Sequence, residues 1–70
     1  MMPLALMNPG EETIIRKISG SQQVRTHLEN LGFVPGGRII VISATLGNLI
    51  VNVKESRVAI SKEMASKIMV

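Results

Sequence analysis

His27, the Glu11-Glu12 pair, the Arg16-Lys17 pair and the glycine series Gly32-x-x-x-Gly36-Gly37-Arg38 are the residues whose types and spacing bear on chemistry. A histidine becomes a general base when a second group orients it, and this chain has neither aspartate nor cysteine to complete such a pair or to act as nucleophile. Counted along a helix, His27 falls three residues after Val24 and four before Leu31, at the edge of an apolar stripe. That spacing predicts a partly buried structural histidine. A tetrahedral zinc site needs several Cys or His ligands, and a hard-cation cage would have to come from five scattered glutamates, so neither set is present. Glu11-Glu12 reads as a solvated turn that collects at most a weak surface cation. The glycine series has the outline of a phosphate loop, but it lacks the Gly-Lys-Ser/Thr ending and leads into a strand, so no helix N-terminus faces a phosphate. No catalytic, cofactor-binding or metal-ligating set follows. The chain is expected not to be an enzyme and to need no cofactor.

The formal charge of +3 raises nucleic-acid binding. Arg16-Lys17 is the one adjacent basic pair, and Phe33 is the one aromatic on which a base could stack. The expectation is a solvated basic surface and no nucleic-acid partner.

The elements that carry these residues follow from periodicity and turn chemistry. Val24, Leu28 and Leu31 recur at i, i+4 and i+7 and predict a helix over Ser21–Leu31, capped by Ser19 or Ser21. With Ser19 as the cap, Gln22 occupies the capping-box position. Gly32 stands where a helix closes through a left-handed residue, which turns Phe33 back onto Leu28. Pro35-Gly36 then suits a type II turn. Upstream, Pro3–Met7 is a short extended candidate with Leu4 and Leu6 on one face, and Asn8-Pro9-Gly10-Glu11 is a turn. Thr13–Ile18 is a strand in which Ile15 and Ile18, three apart, call for a bend near Arg16-Lys17. Downstream, Arg38–Thr45 carries apolar residues on both faces, as a central strand does. Leu46-Gly47-Asn48 turns the chain, Leu49, Val51 and Val53 alternate in a half-buried strand, and Lys54-Glu55-Ser56 turns it again without glycine or proline. Val58 and Ile60 mark the next strand, Ser61 caps a single helical turn, and Lys67–Val70 closes the chain. Five or six short strands with one helix inserted after the second predict a mainly β fold, a small and strongly bent barrel in one domain over residues 1–70.

With 46% hydrophobic residues and no cysteine, so small a chain must hold by packing alone. No apolar run approaches the ~20 residues of a membrane span. Met1–Met7 has no basic residue ahead of its apolar run, unlike a signal peptide. A soluble, intracellular chain is expected, in a reducing and cytosolic setting. It carries more apolar surface than its core can take, which points to a protein partner and leaves room for self-association.

Asn8-Pro9-Gly10-Glu11, Ile15 with Ile18, Leu28, the run Leu31-Gly32-Phe33-Val34-Pro35-Gly36 and the terminal Ala65-x-x-Ile68-x-Val70 resemble the ferrous iron transport protein A family from about Leu4 to Val70. The resemblance implies an SH3-like barrel, a cytoplasmic accessory of ferrous iron uptake, and a partner: ferrous iron transport protein B, a membrane permease with a cytosolic GTP-binding domain. It also implies likeness to the C-terminal domain of iron-dependent repressors. Two loops depart from the family pattern: Asn48-Leu49 stands where Asp-Pro is frequent, and Glu55 where glycine is frequent.

An SH3-like shape does not by itself imply a polyproline ligand, because such grooves are lined with aromatic residues and this chain has no Tyr or Trp. The helix lacks the one-sided basic face of a membrane-surface helix, so no direct membrane insertion is expected. The residues expected to touch a partner are Leu31, Phe33 and Val34 at the corner, Leu46, Asn48 and Leu49 at the hairpin tip, and Arg25 and Arg38 as charged rim. The leading reading is an adaptor that docks on the permease or its GTP-binding domain. The alternatives are a small nucleic-acid-binding barrel and a regulatory domain of the repressor type.

Overall fold

The computed structural model describes residues 1–70. Its helix α1 spans Gln22–Asn30 and begins at Ser21, whose Oγ accepts the Val24 N–H at 3.2 Å; of the two candidate caps, Ser21 is the one used. The helix ends in a Schellman closure. Gly32 takes φ +106°, its N–H donates to the Glu29 carbonyl, and the Phe33 N–H donates back to the Leu28 carbonyl, both at 2.9 Å. Phe33 and Leu28 are both fully buried in one core cluster, as the spacing predicts. Gly36 at φ +89° and the 3.0 Å bond from Gly37 N–H to the Val34 carbonyl complete the type II turn.

The strand expected over Thr13–Ile18 is two strands in two sheets, β1 (Glu12–Ile14) and β2 (Lys17–Ile18). Ile15 is the joint. Its N–H donates to the Gly37 carbonyl at 2.9 Å, its carbonyl accepts the Gly36 N–H at 2.7 Å, and the Arg16 N–H then reaches the Met69 carbonyl at 2.8 Å. The bend puts Ile15 and Ile18 both in the core despite their odd spacing.

Beyond the corner come β3 (Arg38–Ala44), β4 (Asn48–Val53) and β5 (Ser56–Ser61), then the one-turn helix α2 (Lys62–Ala65) capped by Ser61 Oγ, and β6 (Ile68–Met69). One antiparallel sheet runs in the order β1-β3-β4-β5, and β2 pairs with β6 in a second. Thirteen hydrophobic residues and no polar one are buried between them. Leu49, Val51 and Val53 point inward opposite Ala44, Val41 and Ile39. Ile42 is the extra residue of a β-bulge between Val41 and Ser43, which turns it outward to 38% exposure.

Two expectations are corrected. Pro3–Met7 is not a strand: Leu4–Leu6 forms a 3-10 turn, held by Leu6 N–H to the Pro3 carbonyl and Met7 N–H to the Leu4 carbonyl. With three residues per turn, Leu4 and Leu6 diverge; Leu4 is buried and Leu6 is 66% exposed. Extended pairing survives at the ends, where Met2 and Val70 exchange reciprocal backbone bonds of 2.9 and 2.8 Å. His27 is exposed rather than partly buried, because α1 buries a stripe one residue wide, Leu28, with Val24 and Leu31 half-buried beside it.

The β4–β5 hairpin closes Val53 onto Ser56 through Lys54 (φ +51°) and Glu55 (φ +63°). A two-residue turn with both positions left-handed is type I′, which favours Asn-Gly. Lys and Glu hold it at a cost. Replacing Glu55 by glycine is therefore expected to stabilise the fold by about 1 kcal/mol, raising Tm by roughly 4–8 °C for a domain of this size. A thermal melt followed by circular dichroism checks it.

Candidate functional site

The sheet keeps one face for the core and turns the other outward. Along β3 the outward residues are Arg38, Ile40 and, at the bulge, Ile42, all exposed or half-buried, and Leu46 lies beyond them, 99% exposed at the tip of the β3–β4 hairpin. Ile14, 40% exposed, lies opposite Arg38 on β1, and half-buried Ile50 flanks the bulge on β4. The result is an apolar track of Ile14, Ile40, Ile42 and Ile50 along the outer face.

At the Arg38 end the track opens into a groove of about 370 Å³ lined by Glu12, Arg38, Ile40, Asn52, Lys54 and Glu55. Pair register builds it. Glu12, Ile40 and Asn52 are directly opposed across β1, β3 and β4, while Lys54 and Glu55 arrive from the type I′ turn. Two cations and two carboxylates thus converge without taking part in any side-chain hydrogen bond of the structure. Asn52 Oδ1 is buried with no hydrogen-bond partner. No three His, Cys, Asp or Glu side chains gather to hold a metal ion, and the groove offers no paired nucleophile and base.

The residues expected to touch a partner fall into three groups. Val34 and Leu31 are half-buried at the corner, and Arg38 is exposed at the end of the groove. Leu46 and Asn48 are exposed at the far end of β3, so the corner and the tip stand apart and share an interface only through the outer face between them. Arg25 is exposed on α1, where its Nη2 donates to Gln22 Oε1 at 3.0 Å. Phe33 and Leu49 are unavailable for contact. Both are completely buried, Phe33 by the Schellman closure and Leu49 because the inward alternation of β4 begins with it. Glu12, Asn52, Lys54 and Glu55 are not among the residues expected from the sequence to touch a partner. The signals for them in the sequence are a polar residue within the alternating run Leu49–Val53 and a carboxylate at a turn position suited to glycine.

The FeoA domain model matches residues 2–70. The chain belongs to the FeoA domain family. It is 37% identical over 70 residues to a Methanocaldococcus jannaschii protein named as an Fe(2+) transport protein A, a match that covers all of this chain and 85% of that one. A crystal structure of an iron uptake regulatory protein, FeoA, superposes with a TM-score of 0.90 at 35% identity, over 97% of this chain and 90% of the other. FeoA of Stenotrophomonas maltophilia complexed with zinc, described as a procaryotic SH3 domain protein, superposes with a TM-score of 0.84 at 19% identity, over 99% and 88% of the two chains. The mainly β architecture is therefore the SH3-like fold of FeoA proteins. No helix of this FeoA domain is long and apolar enough to cross a membrane.

Proposed function

We propose that this FeoA protein is a cytoplasmic accessory of ferrous iron uptake that acts by contact with a membrane ferrous iron permease or with its GTP-binding domain. Ferrous iron is the cargo of that partner. The observation that carries the reading is Leu46. A leucine 99% exposed on a hairpin tip gains nothing for the isolated fold, and burying it against a partner contributes about 1.5–3 kcal/mol. Family membership supplies the transport context; the outer track of Ile14, Ile40, Ile42 and Leu46 supplies a surface for a protein rather than for a substrate molecule.

Titrating the protein against the purified cytosolic portion of the permease tests this. Association in the micromolar range is expected, and Leu46→Glu should weaken it about tenfold or more with an unchanged thermal melt. Val34→Glu probes the corner in the same way. Absence of association at tens of micromolar by the folded wild-type protein would overturn the reading.

A further inference from the structure

The four-stranded sheet ends on two edges, and they are not alike. β1 is three residues long and stops at the Ile15 bend. It starts from a bulge, where the Gly10 N–H donates to the Val41 carbonyl at 2.7 Å and the Val41 N–H donates to the Glu11 carbonyl at 3.1 Å, so two residues oppose one. A short, bulged strand gives another chain little to pair with. β5 is six residues long and pairs with β4 in unbroken register. It contains no proline and no lysine, and Arg57 is its one charge. The strand order leaves its other side open.

The parity of the hairpin decides which backbone groups lie on that open side. The two-residue turn makes Val53 and Ser56 a hydrogen-bonded pair, so Val58 and Ile60 also bond to β4. The Lys62 N–H, which donates to the Gly47 carbonyl at 3.0 Å, keeps the same alternation. Arg57 and Ala59 therefore aim both N–H and C=O away from the sheet, and Ser61 aims its N–H the same way. Neither Arg57 nor Ala59 takes part in any turn, loop or cap backbone bond.

The residues of the edge fit a second copy of themselves. About Ala59, β5 reads alike by type in both directions: β-branched Val58 and Ile60 flank it, with polar Arg57 and Ser61 beyond. A two-fold axis through Ala59 pairs the two strands antiparallel, Ala59 with Ala59, Val58 with Ile60 and Arg57 with Ser61. The two Ala59 residues then exchange reciprocal backbone bonds, and each Arg57 carbonyl accepts the copy's Ser61 N–H. On the core side, the copy's Ile60 covers half-buried Val58. On the outer side, Ile50 stands opposite exposed Ala59, so the apolar face continues across the seam into the copy's Ala59 and Ile50. An axis through Arg57 would instead set two guanidinium groups directly opposite each other, which charge repulsion disfavours. An unrelated strand has no need of this two-way symmetry, whereas a second copy requires it.

We propose that this FeoA domain self-associates through the open edge of β5, two copies joining antiparallel about Ala59 into one continuous sheet. The inference is independent of the permease reading. The seam is one strand wide, well below the ~1,200 Å² of a stable interface, so a weak dimer with Kd on the order of 0.1–1 mM is expected.

Sedimentation equilibrium of the wild-type protein up to about 2 mM should resolve monomer and dimer. Ala59→Glu and Ala59→Lys each set like charges opposite each other at the axis. Each should weaken the dimer about tenfold or more, with a thermal melt changed no more than by an ordinary surface substitution. An equimolar mixture of the two variants places a carboxylate against an ammonium, and should recover dimer where neither variant alone forms it. Amide hydrogen exchange tests the same seam without substitution: protection of the Arg57, Ala59 and Ser61 N–H groups should rise with concentration, while Glu12 and Ile14 on the β1 edge stay unchanged. A wild-type protein still monomeric at about 2 mM would overturn the proposal. So would an Ala59→Glu dimer as tight as wild type, a mixture no more dimeric than its components, or a dimer that leaves the Ala59 amide unprotected.

Discussion

Replacing Phe33 by alanine is expected to leave the protein largely unfolded at 37 °C. Phe33 is the largest fully buried side chain, and it closes the core where the helix, the corner and the sheet meet. Truncating a buried phenylalanine to alanine costs about 3–5 kcal/mol in lost transfer energy and residual cavity. A 70-residue domain has on the order of 4–10 kcal/mol in all, at ~0.05–0.15 kcal/mol per residue. No disulfide is present to make up the difference. Urea denaturation of Phe33→Ala should show a transition at much lower denaturant or none, and a wild-type midpoint would show that the closure of α1 is not what anchors the core.

Glutamate at position 49 and at position 46 should give opposite results, although the two leucines are three residues apart. Leu49 is 0% exposed on β4 between Ala44 and Ile60, and a carboxylate there has no cation or donor within the all-apolar core. The expected loss is at least the 3–5 kcal/mol of an uncompensated buried charge, enough to abolish folding. Leu46 is 99% exposed, and the same substitution should move the melting temperature by no more than a surface change does, within about 0.5 kcal/mol. Circular dichroism melts of the two variants separate them directly. Leu49→Glu is accordingly no probe of docking: any lost binding would report a lost fold.

That contrast shows how legibility divides along this chain. The corner from Leu31 to Gly36 could be read residue by residue because each of its constraints is local: a helical spacing that ends, a glycine that takes positive φ, a proline that fixes the next turn. The alternation of Leu49, Val51 and Val53 was equally legible as a strand, yet a hairpin tip and a strand start cannot be told apart to one residue, and that single residue decided whether Leu49 faced a partner or the core. His27 was misjudged because a helical spacing gives the direction of a stripe but not its width. How far α1 sinks into the core is set by the sheet, not by the helix. Pro3–Met7 looked extended because two alternating leucines fit a strand, whereas the backbone preferred a single 3-10 turn after Pro3.

The groove was the least visible feature. Glu12, Arg38 and Asn52 are distant in sequence and meet only through the register of three antiparallel strands, which no local pattern encodes. Glu55 did leave a trace, as a carboxylate in a tight turn that has neither glycine nor proline. The positive φ there gives the reason that glycine is favoured and makes the departure a physical one.

The reciprocal bonds between Met2 and Val70 place residues 2 and 70 of the chain side by side. A covalent splice between them would need few added residues, and new ends could be opened at the Leu46-Gly47 tip without cutting a ladder of the sheet. For the same reason, a fusion partner attached at either end would emerge from one spot beside the β2–β6 sheet, a convenient property for immobilising the protein in docking measurements.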